Sequence, residues 1–324
     1  MILAGDVGGT KTRLALFDAE GGGRLRGHAG RTYPSREHGA LEEIVARFRR
    51  DVPASIERAA FGVAGPVKDG VSVTTNLPWV IEAKSLATLL QIPACGLLND
   101  LEANAWGLGE LGEEDTVTLQ AGTAGVVGNS AIIAAGTGLG EAGLFWNGRR
   151  HIPFATEGGH ADFAPRSTIE DELLRHLRAR YGRVSWERVV SGPGLVEIHD
   201  FLAGREPGPG TVEAGFGEDR AAAVSRAALE GKSTVASKAL DLFVSMYGAE
   251  AGNLALKTLA GAGLYVGGGI APRIIERIRG GGFMEAFLDK GRMRPLLEAM
   301  PVRVVLNDRT ALLGAARQAL ENAS

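Results

Sequence analysis

Asp6, Gly8, Gly9 and Thr10 crowd into one short stretch, GDVGGTKTRLALFD, residues 5–18. A carboxylate, two adjacent glycines and a hydroxyl between two β-prone runs are what a backbone needs to turn tightly against phosphates. The glycines have access to positive φ and bring bare N–H groups close to an anion. Thr10 adds a side-chain donor, and Asp6 offers a carboxylate to a hydrated metal. The pattern implies a nucleotide site, with Lys11 beside the turn. Residues 12–17 alternate in strand fashion, so the turn belongs to a β-hairpin and not to a glycine-rich loop that opens into a helix.

The same grammar returns in AGTGLGEAGLF, residues 135–145, where Gly136, Thr137 and Gly138 separate an apolar run from a strand-like one. Three further clusters carry polar chemistry. Asn99 and Asp100 stand just before a helical run, the favoured place for N-cap residues. Glu157 and His160 flank two glycines, in a loop whose carboxylate and imidazole can pair with several hydroxyls. Glu187 follows Ser185 at a helix start, where the helix dipole favours a carboxylate whatever its function. Gly267, Gly268 and Gly269 close a short apolar strand ahead of Ala271-Pro272, where proline can open a helix.

Two other strings fail on inspection. GLGEAG, residues 138–143, fits the dinucleotide pattern G-x-G-x-x-G, but Leu144–Trp146 and Asn147-Gly148 continue it as a strand entering a hairpin turn. GKS, residues 231–233, mimics the end of a P-loop, yet Arg226 stands where the first glycine belongs, which leaves a helix boundary. Glu157 and His160 lack a third ligand of suitable spacing, so no metal is expected there.

The elements that must position these groups read as α/β. A first unit of residues 1–110 runs strand, turn, strand, a helical segment at 41–50, a strand at 58–63, and a short buried strand at 94–98 that ends at Asn99-Asp100. Ligand residues favour such strand ends in open α/β sheets. A second, larger unit spans residues 111–306, with strands near 116–119 and 130–135 and helices at 168–181, 220–229 and 233–259. Residues 302–306 read as a last strand and 309–321 as a helix. Glycine-rich stretches at 21–23, 204–217 and 280–282 read as solvent-facing loops.

The chain has 324 residues and 45% hydrophobic content, enough for two domains with sizeable cores. A net charge of −3 without long like-charge runs argues against nucleic acid or an anionic membrane and for a small solute. The single cysteine, Cys95, excludes an intramolecular disulfide framework and a multi-thiolate zinc site, and makes the cytosol the natural compartment. Asp6 falls too early for a secretory leader, and no apolar stretch nears the roughly 18 residues that a membrane span needs.

Taken in order, GVAGPV (62–67), TNLPWVI (75–81), LLNDLEANAWG (97–107), EGGHADFAPR (157–166), WERVVSGPGL (186–195) and VGGGIAPRI (266–274) resemble the bacterial glucokinase family. That family is a hexokinase-like branch of the actin-like ATPase superfamily, and the match covers nearly the whole chain. The resemblance implies a two-domain actin-like ATPase (ribonuclease H-like) fold with an interdomain cleft, the helix within 307–324 packing back on the first domain. It implies ATP-dependent phosphorylation of D-glucose to glucose 6-phosphate, Asp100 being the general base. Asn76, Asn99, Asp100, Glu157, His160 and Glu187 would line the hexose pocket. ATP would contact Asp6, Gly8, Gly9, Thr10 and Lys11, then Gly136, Thr137 and Gly138, and its adenosine Gly267, Gly268 and Gly269. Asp6 would hold Mg²⁺ through water. A cytoplasmic homodimer serving glycolysis is expected. A kinase for another hexose or an amino sugar would share the phosphate machinery, and a non-catalytic sugar sensor the same clamshell. The carboxyl of Asp100 argues for the enzyme, since a mere binder could keep Asn there.

Overall fold

The computed structural model describes residues 1–21, 24–74, 77–205, 212–215 and 218–321. Chain contacts divide it into two compact units, Met1–Asp115 with Ile152–Ala155 and Asn307–Ser324, and Thr116–His151 with Thr156–Leu306.

In the first unit β1 (Ile2–Val7) and β2 (Lys11–Ala19) form the expected hairpin, antiparallel with Asp6 opposite Arg13. β3 (Leu25–Pro34) extends the meander, α1 (Leu41–Asp51) follows, and β4 (Arg58–Val63) returns parallel to β1. A small sheet of β5 (Val67–Lys68), β6 (Val71–Val73) and β7 (Val80–Glu82) leads into α2 (Ala83–Leu90). β8 (Cys95–Asn99) then pairs parallel with β4 and runs directly into α3 (Asp100–Gly107), for a sheet order β3-β2-β1-β4-β8.

The second unit repeats the plan. β9 (Thr116–Gln120) is followed by the antiparallel pair β10 (Ser130–Ala135) and β11 (Leu139–Trp146); β12 (His151–Thr156), whose residues 152–155 belong to the first unit, comes next in the chain. The helices α4 (Thr168–Tyr181), α5 (Gly192–Ala203), α6 (Arg220–Leu229) and α7 (Thr234–Thr258) precede β13 (Gly263–Gly267), which lies parallel to β10. After α8 (Ile275–Arg279), α9 (Gly282–Leu288) and α10 (Arg294–Glu298), β14 (Val302–Val305) adds parallel to β13. Five strands of this sheet run in the order β11-β10-β13-β14-β9. Both units thus place a hairpin turn beside the carboxyl ends of parallel strands, where α/β proteins bind ligands.

Each unit has its own apolar core. Phe48, Phe61, Leu41 and Trp79 fill one side of the first sheet; Tyr247, Phe243, Phe283 and Phe287 anchor the second unit. Each such side chain contributes about 1.5–3 kcal/mol by leaving water. The other face of the first sheet is covered by α11 (Thr310–Glu321), whose Leu312, Ala315, Ala316 and Ala319 pack on Ile2, Ala4 and Ala60. Small residues let α11 approach α3 closely. A Cβ on Gly314 would overlap the Ala103 carbonyl, and one on Gly107 would overlap that of Thr310. The helix that begins with Asp100 is therefore seated by the end of the chain.

Candidate active site

The first glycine turn is closed by the Gly8 N–H, which donates to the Lys11 carbonyl at 3.0 Å. The Ser35 hydroxyl donates to the Gly8 carbonyl at 2.7 Å and is itself hydrogen-bonded to buried Thr12 at 3.0 Å. The sequence suggested positive φ at the glycines, but neither Gly8 nor Gly9 lies in the left-handed region. The two-strand hairpin reaches its turn with ordinary backbone angles. Thr10 and Lys11 are exposed on it.

Asp6 sits at the end of β1 with its carboxyl largely removed from water. Burial raises its pKa to about 6, the Asp100 and Asp308 carboxylates add to that, and the Arg13 guanidinium opposes it. Arg13 is oriented by Asp308, donating to its side chain at 2.7 Å and to its carbonyl at 2.6 Å. The first unit thus sets Asp6 within electrostatic reach of both Asp100 and Arg13. No group of three or more potential ligands able to cage a metal ion occurs among the described residues. An electron-rich pair of carboxylates fits a dication that keeps most of its waters, as Mg²⁺ does.

Asn99 and Asp100 occupy the β8–α3 junction. Asn99 is the N-cap: its Oδ1 accepts the Leu101 N–H at 2.9 Å, while its Nδ2 donates to the Gly65 carbonyl at 3.0 Å. Asp100 Oδ1 accepts the same Leu101 N–H at 2.9 Å. One amide hydrogen of Asn99 remains for a ligand. The N-cap role of Asn99 thus leaves it able to take a ligand.

In the second unit Gly136 N–H donates to Gly138 O at 2.8 Å, and Gly192 N–H donates to Gly136 O at 2.8 Å. The buried Tyr247 hydroxyl stitches the strand ends below, accepting the Ala135 N–H at 3.1 Å and donating to Gly267 O at 3.2 Å. Gly268 has φ +82°, and a Cβ there would overlap the backbone of Ala135. These close approaches bring the second turn and the triple glycine to one cavity of about 650 Å³. Gly136, Thr137 and Gly269 line it with Pro193, Leu195, Ile270 and Ile274, and with Asp219, Ser225, Arg226, Glu230 and Arg273 at its polar positions.

Glu157 precedes and His160 ends a single 3₁₀ turn, Gly158–His160, with both side chains exposed and 3.9 Å apart. This turn packs against a second, Trp186–Arg188, which brings Glu187 alongside. Trp186 N–H donates to Ala161 O at 3.0 Å, and Arg183 donates to His160 O at 2.7 Å. Glu187 Oε2 accepts the Leu139 N–H at 3.0 Å, tying the second glycine turn to the same region. Asn76 lies outside the described residues.

A glucokinase family model matches residues 3–322. Glucokinases from Nostoc sp. and Synechocystis sp. are 42% and 44% identical, over 98% and 97% of this chain and 98% and 96% of theirs. The crystal structure of a glucokinase from an Antarctic psychrotroph superposes with a TM-score of 0.88 at 32% identity, covering 99% of this chain and 98% of that one. The chain belongs to the glucokinase family. It has the actin-like ATPase fold and is an ATP-dependent glucose kinase. A ROK family glucokinase from Streptomyces griseus, solved in complex with glucose and AMPPNP, shares the fold at 24% identity, a TM-score of 0.66 and 99% coverage of both chains.

Sequence reasoning missed some of what this glucokinase-family site contains. Arg13 and Asp308 carry no motif, although strand alternation puts Arg13 on the Asp6 face and Asn307-Asp308 carries a helix-start signal. The polar lining from α6 was read only as helix. Tyr247 was hidden inside a long apolar helix, where a phenol looks like core.

Proposed function

We propose that Asp100 is the general base of the glucose kinase reaction. The observation that carries this is its place: the C-terminal end of a parallel strand, the first turn of a helix, and electrostatic contact with Asp6. In the reaction, the 6-hydroxyl oxygen of glucose forms a bond to the γ-phosphorus as the bond to the β,γ-bridging oxygen breaks. The hydroxyl proton passes to the Asp100 carboxylate and ADP leaves. Asn99, with a free amide hydrogen, and Glu157, His160 and Glu187 serve as hexose ligands. Gly8, Gly9, Thr10 and Lys11, and Gly136, Thr137 and Gly138, serve the phosphates.

The nucleoside occupies the 650 Å³ cavity beside Gly136 and Gly269, whose Leu195, Ile270 and Ile274 offer apolar surface to a flat ring. Mg²⁺ would be held by Asp6 through water and would screen the phosphate charge. A reducing, cytoplasmic setting suits the lone Cys95, which burial pushes up to about 12 and keeps unreactive. A homodimer is part of the same reading.

Asp100→Asn and Asp100→Ala test the assignment. Each is expected to lower kcat by about 10²–10⁴ while glucose still binds, since a base acts in the transition state. Glucose titrations read binding and a coupled assay reads turnover; near-normal kcat in either variant refutes the role.

A further inference from the structure

Glu141 lies in the middle of β11, fully buried, in a strand whose other inward positions are apolar or glycine. No hydrogen-bond donor reaches its Oε1. The group within hydrogen-bonding reach of its carboxyl is another buried acid, Glu250 of α7. Glu250 is the charged member, accepting from Asn253 at 2.7 Å and from Lys257 at 3.3 Å. Two buried, electrostatically coupled carboxylates resist being anionic together, so the pair shares a proton carried by Glu141. Burial and Glu250 lift Glu141 to about 8, which keeps that proton in place near neutrality.

The same carboxyl faces the Glu157–His160 turn. A Cβ on Gly158 would overlap Glu141 Oε2, so the backbone at 158 rests directly on this carboxyl. The main chain of Glu141 holds the turn a second time. Thr156 Oγ1 donates to the Glu141 carbonyl at 2.9 Å and accepts the Gly158 N–H at 3.2 Å.

We propose that Glu141 is a positioning residue for the hexose: coupled to buried Glu250, its carboxyl is the platform that sets where Glu157 and His160 present their side chains. The proposal rests on the reading of Glu157 and His160 as hexose ligands. It assigns a role in the known reaction to a buried acid that neither touches substrate nor belongs to the apolar core.

Steady-state kinetics of the full chain, with glucose and ATP varied separately, provide the test. Glu141→Ala is expected to raise the KM for glucose about tenfold with the KM for ATP within about twofold, because only the sugar turn loses its support. Glu141→Gln, whose amide can donate to Glu250, is expected to restore the glucose KM to within about threefold of the parent. Gly158→Ala pushes on the same carboxyl from the other side and should reproduce the glucose-specific defect, which decides the matter should Glu141→Ala not fold. Glu157→Gln runs in parallel. If it raises the glucose KM while Glu141→Ala and Gly158→Ala do not, the positioning role is overturned and the sugar reading stands. If Glu157→Gln leaves the glucose KM unmoved, the sugar reading falls and the proposal with it. Equal losses toward glucose and ATP in Glu141→Ala and Gly158→Ala would mark Glu141 as a general structural residue and overturn the proposal.

Discussion

Glu187 Oε2 accepts the Leu139 N–H at 3.0 Å, so a side chain proposed to face the hexose also grips the first residue of the strand that leaves the Gly136–Gly138 turn. A Cβ on Gly138 would stand 2.5 Å from the same oxygen, so a methyl group there would have to displace the Glu187 carboxylate. A carboxylate has enough lone pairs for both tasks. Glu187→Ala is therefore expected to weaken both substrates, raising each KM about tenfold by leaving a backbone donor unmatched. Glu187→Gln keeps an acceptor for Leu139 and should hold the ATP KM within about threefold while the glucose KM still rises. Identical ATP effects in the two variants would show that charge, and not the hydrogen bond, matters to the turn.

Asp6 makes a prediction about stability and pH. Its folded pKa of about 6 lies above the ordinary 3.8. Between those values the folded chain holds a proton that the unfolded chain has released. The cost to stability is thus absent below the lower value, grows through the window and is complete above the upper one. Asp6→Asn is expected to be more stable than the parent, with an advantage that grows by on the order of 1–2 kcal/mol from about pH 5 to about pH 8. Urea unfolding at the two pH values measures it. An advantage that shrinks on going to the higher pH would contradict the assignment. Activity should fall in the same variant, because Asp6 is proposed to hold hydrated Mg²⁺.

How far the sequence carried depends on what kind of signal each element leaves. The fold class was legible because β1, β10 and β4 are short apolar runs bounded by turn residues, and because α1, α4, α6 and α7 are periodic or uninterrupted. β3 was not legible: nine of its ten residues are at least partly exposed, its pattern is LRGHAGRTYP, and an edge strand with one buried tyrosine shows no alternation. α5 opens GPGL, which reads as a turn until Ser191 is seen to cap it and Pro193 to sit in its first turn. At the site, glycines and acids beside strand ends were visible as types. Their partners were not, because the Arg13–Asp308 pair joins residues 295 apart and the Tyr247–Ala135 bond residues 112 apart. Such pairings exist only once the sheet order is known.

The α3–α11 crossing offers a test of how Asp100 is held. Gly314 faces the Ala103 carbonyl with no room for a methyl group, and Gly107 faces Thr310 in the same way. Gly314→Ala must push α11 away from α3, which overpacking data put at about 1–3 kcal/mol. Helix propensity alone would favour alanine by about 1 kcal/mol, so the two effects have opposite signs. A fall in thermal stability with a lower kcat is expected, since α3 starts at Asp100. A stabilised variant with parental kcat would mean that the close approach is not needed.

Tyr247 joins both strand ends beneath the second glycine turn and the triple glycine. Its hydroxyl accepts from Ala135 N–H and donates to Gly267 O, and burial pushes its pKa up, so it stays a neutral phenol able to do both. Tyr247→Phe keeps the ring among Phe243 and Phe283 but leaves the Ala135 N–H and the Gly267 carbonyl without this partner. Leaving buried backbone groups unpaired costs about 1–3 kcal/mol, so the variant should unfold at lower denaturant. The turns that it supports carry the proposed nucleotide contacts, and Glu157 and His160 lie on a different loop. Its kinetic signature should accordingly be a KM for ATP raised several-fold, about 3–10 times by the same energy scale, with the glucose KM little changed. A glucose-specific defect would place the influence of Tyr247 on the sugar side and separate it from the nucleotide turns.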